Sequence, residues 1–548
     1  MSSNQKICIE NIVESPKIII PILATIGIIL RLYIFPYEIP FSLDSLDLFT
    51  YAVKTNQIGQ VPIDFALDNN GWPLFVSAFF NIVNSDNFFD LVHLQRFLSL
   101  SFSVLTIIPI YYLSRKFFNN KFALIAVSLF IFDFRLIIDS IGGGNMPIFI
   151  FLMTSGICLF ILKPKMVYFS FILVALSSII RYEGLLIFIP FTIMYLIKYK
   201  KEKSYLLKYG IAIFFAILII FPIALIRIEN TGSDGFVSGF SAITSYYNHE
   251  LLTGYSAQCP YVDPDCSTKM INDEEWTKPG KDNVTPFIIS GITGLVKYFS
   301  LNAVPIFFLF LIPSIILIIK KQNFRKISFD FWTLIFSSLF LIFPAFYAYG
   351  RHFEETRYLF IIFPLLCIFC LNGLNFKKFN DSKIVFFIII GIILVISFGA
   401  ITYKDVQLKN EYEREVFIIT EYIAKNIDGI NYFNPESQFM KSADAYDKWP
   451  ETLDIDESRK SHVKRITNLI STDNYNSLEE FILDSESKGL THLYVDGNDF
   501  RNKIENDVFY NEDNFPYLFK QYDSKNYGLS YHVKIFKIDF QKLKNADI

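Results

Sequence analysis

Apolar residues in this chain gather into long runs, and no run of comparable length follows Tyr403. A bilayer core about 30 Å thick needs about 20 apolar residues per helix. Runs that meet or approach this length are Lys17–Phe35, Leu91–Leu113, Phe122–Ile138, Met146–Leu162, Val167–Ile180, Leu185–Ile197, Leu207–Ile226, Ile288–Ile319, Phe331–Tyr349, Tyr358–Leu371 and Ile384–Ile401. They predict a polytopic α-helical membrane protein with about eleven transmembrane helices over 1–402. Residues 403–548 then form a soluble domain.

Composition agrees: 52% of the residues are hydrophobic and 19% charged, against about 25% charged in soluble domains. This excludes a disordered chain, a collagenous repeat and an ordinary soluble enzyme. The net charge of −3 hides a division, because 403–548 carries −8 and the remainder +5. No global basicity points to nucleic acid.

Basic residues in short loops mark the cytoplasmic side. Arg115, Lys116 and Lys121, Lys163 and Lys165, Lys198–Lys208, Lys320–Lys326, and Lys377, Lys378 and Lys383 share one face if the first helix runs outward. The expected protein lies in the plasma membrane, with its N-terminus in the cytoplasm and its C-terminal domain outside. The first helix reads as a retained signal anchor, since no small-residue cleavage site follows it. The external loops are then 36–90, 139–145, 181–184, 229–287 and 351–356. Cys259 and Cys266 share the fourth of these, where a disulfide is plausible. Cys367 and Cys370 read as helix packers, because no second pair accompanies them.

Candidate chemistry concentrates on the outer face. In loop 36–90, Asp44 and Asp47 open a helical pattern with Leu48, Tyr51, Ala52 and Thr55 along one side, which predicts a helix lying on the membrane surface. Both carboxylates can act as helix caps; a carboxylate held there can also deprotonate an acceptor hydroxyl. Arg181-Tyr-Glu183-Gly sits between two short apolar runs. Glu183 reads as the ion-pair partner of Arg181, and the Arg181 guanidinium suits phosphate oxygens. Arg351, His352, Glu354, Glu355 and Arg357 form either a second phosphate clamp or a solvated turn of charge pairs. Arg31, Arg96, Arg135, Asp139 and Asn145 lie near the same level, with Arg31 able to snorkel to the headgroups. Gly142–Gly144 lacks phosphate-loop spacing and predicts a flexible loop.

The order of these features resembles a GT-C membrane glycosyltransferase, in the branch of protein mannosyltransferases and aminoarabinose transferases and closer still to archaeal members. The features are Arg31 ending the first helix, Asp44 before Leu-Phe-Thr-Tyr-Ala, an Asn-Gly-Trp-Pro turn, Leu94-Gln-Arg96-Phe-Leu-Ser, Arg181-Tyr-Glu-Gly and Arg357-Tyr-Leu-Phe-Ile-Ile-Phe-Pro364. The resemblance implies transfer of a sugar from a polyprenyl (dolichyl) phosphate donor to a protein, lipid or glycan acceptor. It implies a first-loop acid as base, matched by Asp44 with Asp47 displaced from the usual acidic pair. It implies basic residues on the donor phosphate, matched by Arg181 and Arg357 with Arg351, His352 and Arg96 nearby. The WWDYG motif of oligosaccharyltransferases is absent, which argues against transfer of a whole glycan to Asn. No dedicated cage of acids marks a metal site, and no cofactor is expected. A lipid-linked glycan flippase is the alternative; the chain lacks the internal repeat and midplane charges typical of transporters. The tail alternates helical and strand-like stretches, as in an α/β or α+β domain, with a capping box at Ser477 and Glu480.

Overall fold

The computed structural model describes residues 15–42, 44–62, 67, 69–83, 85, 87–232, 234–236, 284–307, 309–312, 314, 316, 328–351, 353, 355–371, 383–404, 406–427, 429–432, 463–465, 475–497 and 503–546. Cys259 and Cys266 lie outside them, as does most of the second long loop. The chain forms two compact units. One holds 1–33, 58–76 and 95–403; the other holds 34–57, 77–94 and 404–548.

The first unit is helical. Among the described residues, six helices are long and apolar enough to cross a membrane. A seventh arises if the bent pair Phe134–Ile141 and Met146–Leu162, which meet at 119°, is one span. The remaining apolar segments, such as Gly71–Val83 and Asn120–Ile131, fall short of bilayer length. The apolar run Phe122–Ile138 is not one helix. Asp133 breaks it by accepting from the backbone N–H groups of Arg135 and Leu136 at 3.0 and 3.3 Å, and so caps a new helix. Every residue from Phe122 to Ile131 is buried, so the Asn120–Ile131 helix is enclosed on all sides.

Arg31 does not snorkel. It is fully buried at the end of the Pro16–Tyr33 helix. Its Nε donates to Ser140 Oγ (2.9 Å), Nη2 to Ser103 Oγ (3.0 Å), and Nη1 to the carbonyls of Gly27 (3.0 Å) and Ile131 (3.1 Å). A guanidinium with four internal acceptors has no need of headgroups. Elsewhere, Lys116 and Lys198 both pair with Asp330, at 3.2 and 3.0 Å. The segments around Lys116 and Lys198 therefore meet the start of the Phe329–Gly350 helix. Cys367 and Cys370 are buried free thiols.

In the second unit, residues 404–548 form a sheet of five strands, β1 Gly429–Tyr432, β2 Val463–Arg465, β3 Leu490–Asp496, β4 Leu518–Asp523 and β5 Val533–Ile538. The order is β2-β1-β3-β5-β4; β1 runs parallel to β2 and β3, whereas β5 is antiparallel to β3 and β4. Helix Val406–Asn426 packs Val416, Ile419 and Ile423 on Tyr522, Tyr531, Val533 and Ile535. A second core joins Leu478, Phe481, Ile482, Val508 and Leu543 to Tyr432, Leu493 and Phe536. The result is the mixed helix-and-strand domain that the alternating pattern predicts. Ser477 Oγ accepts from Glu480 N–H at 3.2 Å, the expected cap.

The same unit takes in parts of the first long loop. Asn410 Nδ2 donates to the Ile34 carbonyl at 3.0 Å, Arg414 pairs with Glu38, and Phe417 meets Phe89 edge-on at 5.9 Å. Helix Val406–Asn426 thus holds the sheet on one side and the loop on another. A chain cut after Tyr403 should expose 34–57 to limited proteolysis, with nicks mapped by mass spectrometry. An uncut segment would show that it packs without 404–548.

Candidate functional site

The Val167–Ile180 helix stops because Arg181 takes an extended conformation, φ −149° and ψ 125°. A six-residue 3-10 segment, Tyr182–Ile187, follows and leads into the Phe188–Tyr199 helix. The turn needs Gly184: a Cβ there would lie 2.7 Å from Ser177 Oγ and 2.8 Å from Ser178 N. We expect Gly184→Ala to destabilise by about 1–3 kcal/mol, the usual range for overpacking. An unchanged unfolding midpoint would contradict this reading.

This backbone delivers Arg181 to two partners. Nη2 donates to Glu183 Oε1 at 2.6 Å and Nη1 to Asn145 Oδ1 at 3.3 Å. Only 20% of the Arg181 side chain and 12% of the Glu183 side chain are exposed. The ion pair expected for Glu183 is therefore present.

Arg357 joins this group from the other side of the sequence. It opens the 3-10 segment Thr356–Ile362 and pairs with Glu355. Asn302 Nδ2 donates to the Thr356 carbonyl at 3.0 Å, and Tyr349 Oη to the Glu355 carbonyl at 3.0 Å, which fix the segment. Arg357 and Arg181 interact electrostatically with each other, with Asp139 and with Tyr358. Two arginines from distant loops thus share one carboxylate neighbour. Each guanidinium also has a carboxylate of its own, Glu183 for Arg181 and Glu355 for Arg357.

Sequence reasoning placed Asp139 at this level and did not count it among the site residues. Its signal was an ionisable group at the outer end of an apolar run. Arg351 caps the Phe329–Gly350 helix and lays its guanidinium over Tyr347 and Phe353, at 5.6 and 5.2 Å. Arg96 is buried in the Phe88–Leu105 helix. His352 lies outside the described residues.

The triple glycine is anchored, contrary to the flexible loop expected. Trp72 Nε1 and Gln95 Nε2 donate to the Gly143 carbonyl at 3.1 and 2.9 Å, and Ser99 Oγ donates to the Gly144 carbonyl at 3.2 Å. Gly143 has φ +75°, the left-handed turn that leads to Asn145 and the next helix. Glycine here serves geometry, and its partners come from far along the chain.

Asp44 and Asp47 occupy the first turn of the Asp44–Ile58 helix, in the second unit, whereas the arginines belong to the first. Asp44 is exposed and Asp47 half-buried. The helix is not a surface float with one apolar stripe. Leu46, Leu48, Phe49, Thr50, Tyr51, Ala52, Val53 and Thr55 are all buried, and Phe49 meets Phe41, Phe80 and Phe88 at 5.2–5.8 Å. Among the described residues, no three His, Cys, Asp or Glu side chains gather to hold a metal.

No family profile and no curated protein matches the chain. Among solved structures, it is similar to the oligosaccharyltransferase AglB of Archaeoglobus fulgidus. The complex with an inhibitory peptide and a dolichol-phosphate matches at a TM-score of 0.51 and 13% identity, over 87% of this chain and 69% of that one. The complex with Zn and sulfate matches at 0.50 and 13%, over 87% and 68%. ArnT from Cupriavidus metallidurans bound to undecaprenyl phosphate matches at 0.49 and 7%, over 95% and 98%. At such identities the AglB likeness is one of fold, and that fold is the GT-C membrane architecture that the sequence motifs resemble.

Proposed function

We propose that this protein transfers a sugar from a polyprenyl phosphate to a protein, lipid or glycan acceptor at the extracytoplasmic face. One observation carries the reading: Arg181 and Arg357, from separate loops at the ends of apolar helices, both interact electrostatically with Asp139, and Arg181 donates to Asn145. A paired guanidinium site at the membrane surface suits a lipid-borne phosphate. Proteins of this fold in complex with a dolichol-phosphate, and with sulfate, support it.

In this reading, Arg181 and Arg357 hold the donor phosphate, with Arg351, His352 and Arg96 as further candidates. Asp44, or Asp47 beside it, takes the proton of the acceptor hydroxyl. The oxygen so freed forms the new bond to the anomeric carbon while the bond to the phosphate oxygen breaks. The leaving polyprenyl phosphate is already a stable anion, so it needs positive charge and no proton. An AglB structure contains Zn. The described residues of this chain assemble no three-ligand set for it.

The orientation that follows puts the N-terminus in the cytoplasm and 404–548 outside. Residues 404–548 share a unit with the Asp44 helix, which supports a role on the acceptor side. The test is transfer of radiolabel from a polyprenyl-phosphate sugar to membrane, glycan or protein acceptors by the purified full-length chain. Label moving across vesicles without bond cleavage would instead identify a flippase.

A further inference from the structure

Arg227 was not among the residues that the motifs single out, yet it is one of the most connected side chains in the first unit. It lies near the end of the Tyr205–Thr231 helix and is 3% exposed. A buried cation in so apolar a helix is costly unless its donors are used. They are. Nε and Nη2 both donate to Asn70 Oδ1, at 3.1 and 2.8 Å. Nη2 also donates to the Ile179 carbonyl at 3.3 Å, and Nη1 to the Asp234 carbonyl at 3.5 Å. The face of the guanidinium rests on Phe236, 4.3 Å from its centroid.

These partners flank Arg181. Ile179 precedes it by two residues and offers one of the carbonyls that a helix end leaves without an internal partner. Asn70 adjoins Asn69, whose Oδ1 accepts from the Tyr182 N–H at 3.3 Å, immediately after Arg181. The turn that joins them is pressed onto the same spot: a Cβ on Gly71 would lie 2.5 Å from Ile179 Cγ2 and 2.6 Å from its carbonyl oxygen. Arg227 therefore grips the chain before Arg181 directly, and after it through the Asn69–Asn70 turn.

We infer that Arg227 is a positioning residue, which fixes the backbone around Arg181 so that its guanidinium faces the donor phosphate. The inference rests on the reading of Arg181 as a phosphate ligand. Arg227 itself need not touch the donor. A residue that merely joins helices would lower stability and leave the Arg181 contact as strong as before in every molecule that stays folded.

The test uses the full-length protein and a short-chain polyprenyl phosphate as probe, with binding measured beside the thermal midpoint. Arg227→Lys should weaken binding about tenfold, the scale of losing a hydrogen bond to a charged group. It should do so in folded protein, and add nothing in an Arg181→Ala background, because positioning has no effect once the positioned group is gone. Asn69→Ala, which removes only the bond to Tyr182, should weaken binding in the same direction by less. Full additivity of Arg227→Lys and Arg181→Ala, or wild-type affinity in both Arg227→Lys and Asn69→Ala, would overturn the inference. If Arg181→Ala alone leaves binding unchanged, the assignment of Arg181 fails, and the inference with it.

Discussion

Asp44→Asn should reduce sugar transfer by about 10²–10⁴-fold, the usual worth of a positioned general base. The change removes only the proton-accepting capacity. Asn is as good as Asp at a helix start, and Asp44 is exposed. The eight buried residues of that helix hold its place whichever group stands at position 44. The measurement is the initial rate with a polyprenyl-phosphate sugar, beside the unfolding midpoint. Asp47→Asn, three residues on and half-buried, serves as comparison. A full rate in Asp44→Asn together with a collapse in Asp47→Asn would move the base to Asp47. Full rates in both would remove this helix from the chemistry.

Arg181→Ala should cost about 10²–10³ in kcat/KM, as when one donor to a developing anion is lost. The single change also leaves Glu183 without its cation, in a place where its side chain is only 12% exposed. Breaking such a pair from one side destabilises by about 3–5 kcal/mol, which confuses lost activity with lost structure. The double replacement Arg181→Gln with Glu183→Gln separates the two effects. Two amides can hydrogen-bond in the same space, so the unfolding midpoint should recover toward that of the wild type. Transfer should stay low. Recovery of both would assign the pair a purely structural role.

The long helices were legible because bilayer thickness imposes a length that any sequence must meet. Their interruptions were less so. Asp133 lies inside an apolar run, and nothing local shows that its carboxylate turns back to cap a new helix. Arg31 has the look of a snorkelling residue, and only the packed helices reveal Ser103 and Ser140 waiting for it. The triple glycine suggests freedom, because the groups that pin it, Trp72, Gln95 and Ser99, lie far away in sequence. The sequence names Arg181 and Arg357 together because loop sidedness assigns both to one face. It does not name Arg227: a single charge near the end of an apolar run carries no hint of Asn70 or Ile179. The Asp44 helix was read with one apolar stripe, since only that stripe is periodic. Its other buried residues depend on 34–57 and 77–94 packing into a unit with 404–548.

That last arrangement has a consequence for how the protein is made. Residues 34–57 leave the ribosome roughly 350 residues ahead of the segment they pack with, a delay on the order of 20–70 s at about 5–20 residues per second. Throughout that interval Ile34, Glu38 and Phe89 lack their partners Asn410, Arg414 and Phe417. The earliest helices can insert while the helix that carries Asp44 waits. Asp44 and Asp47 are then among the first residues of their unit to be synthesised, and that unit is complete only when 404–548 has been made.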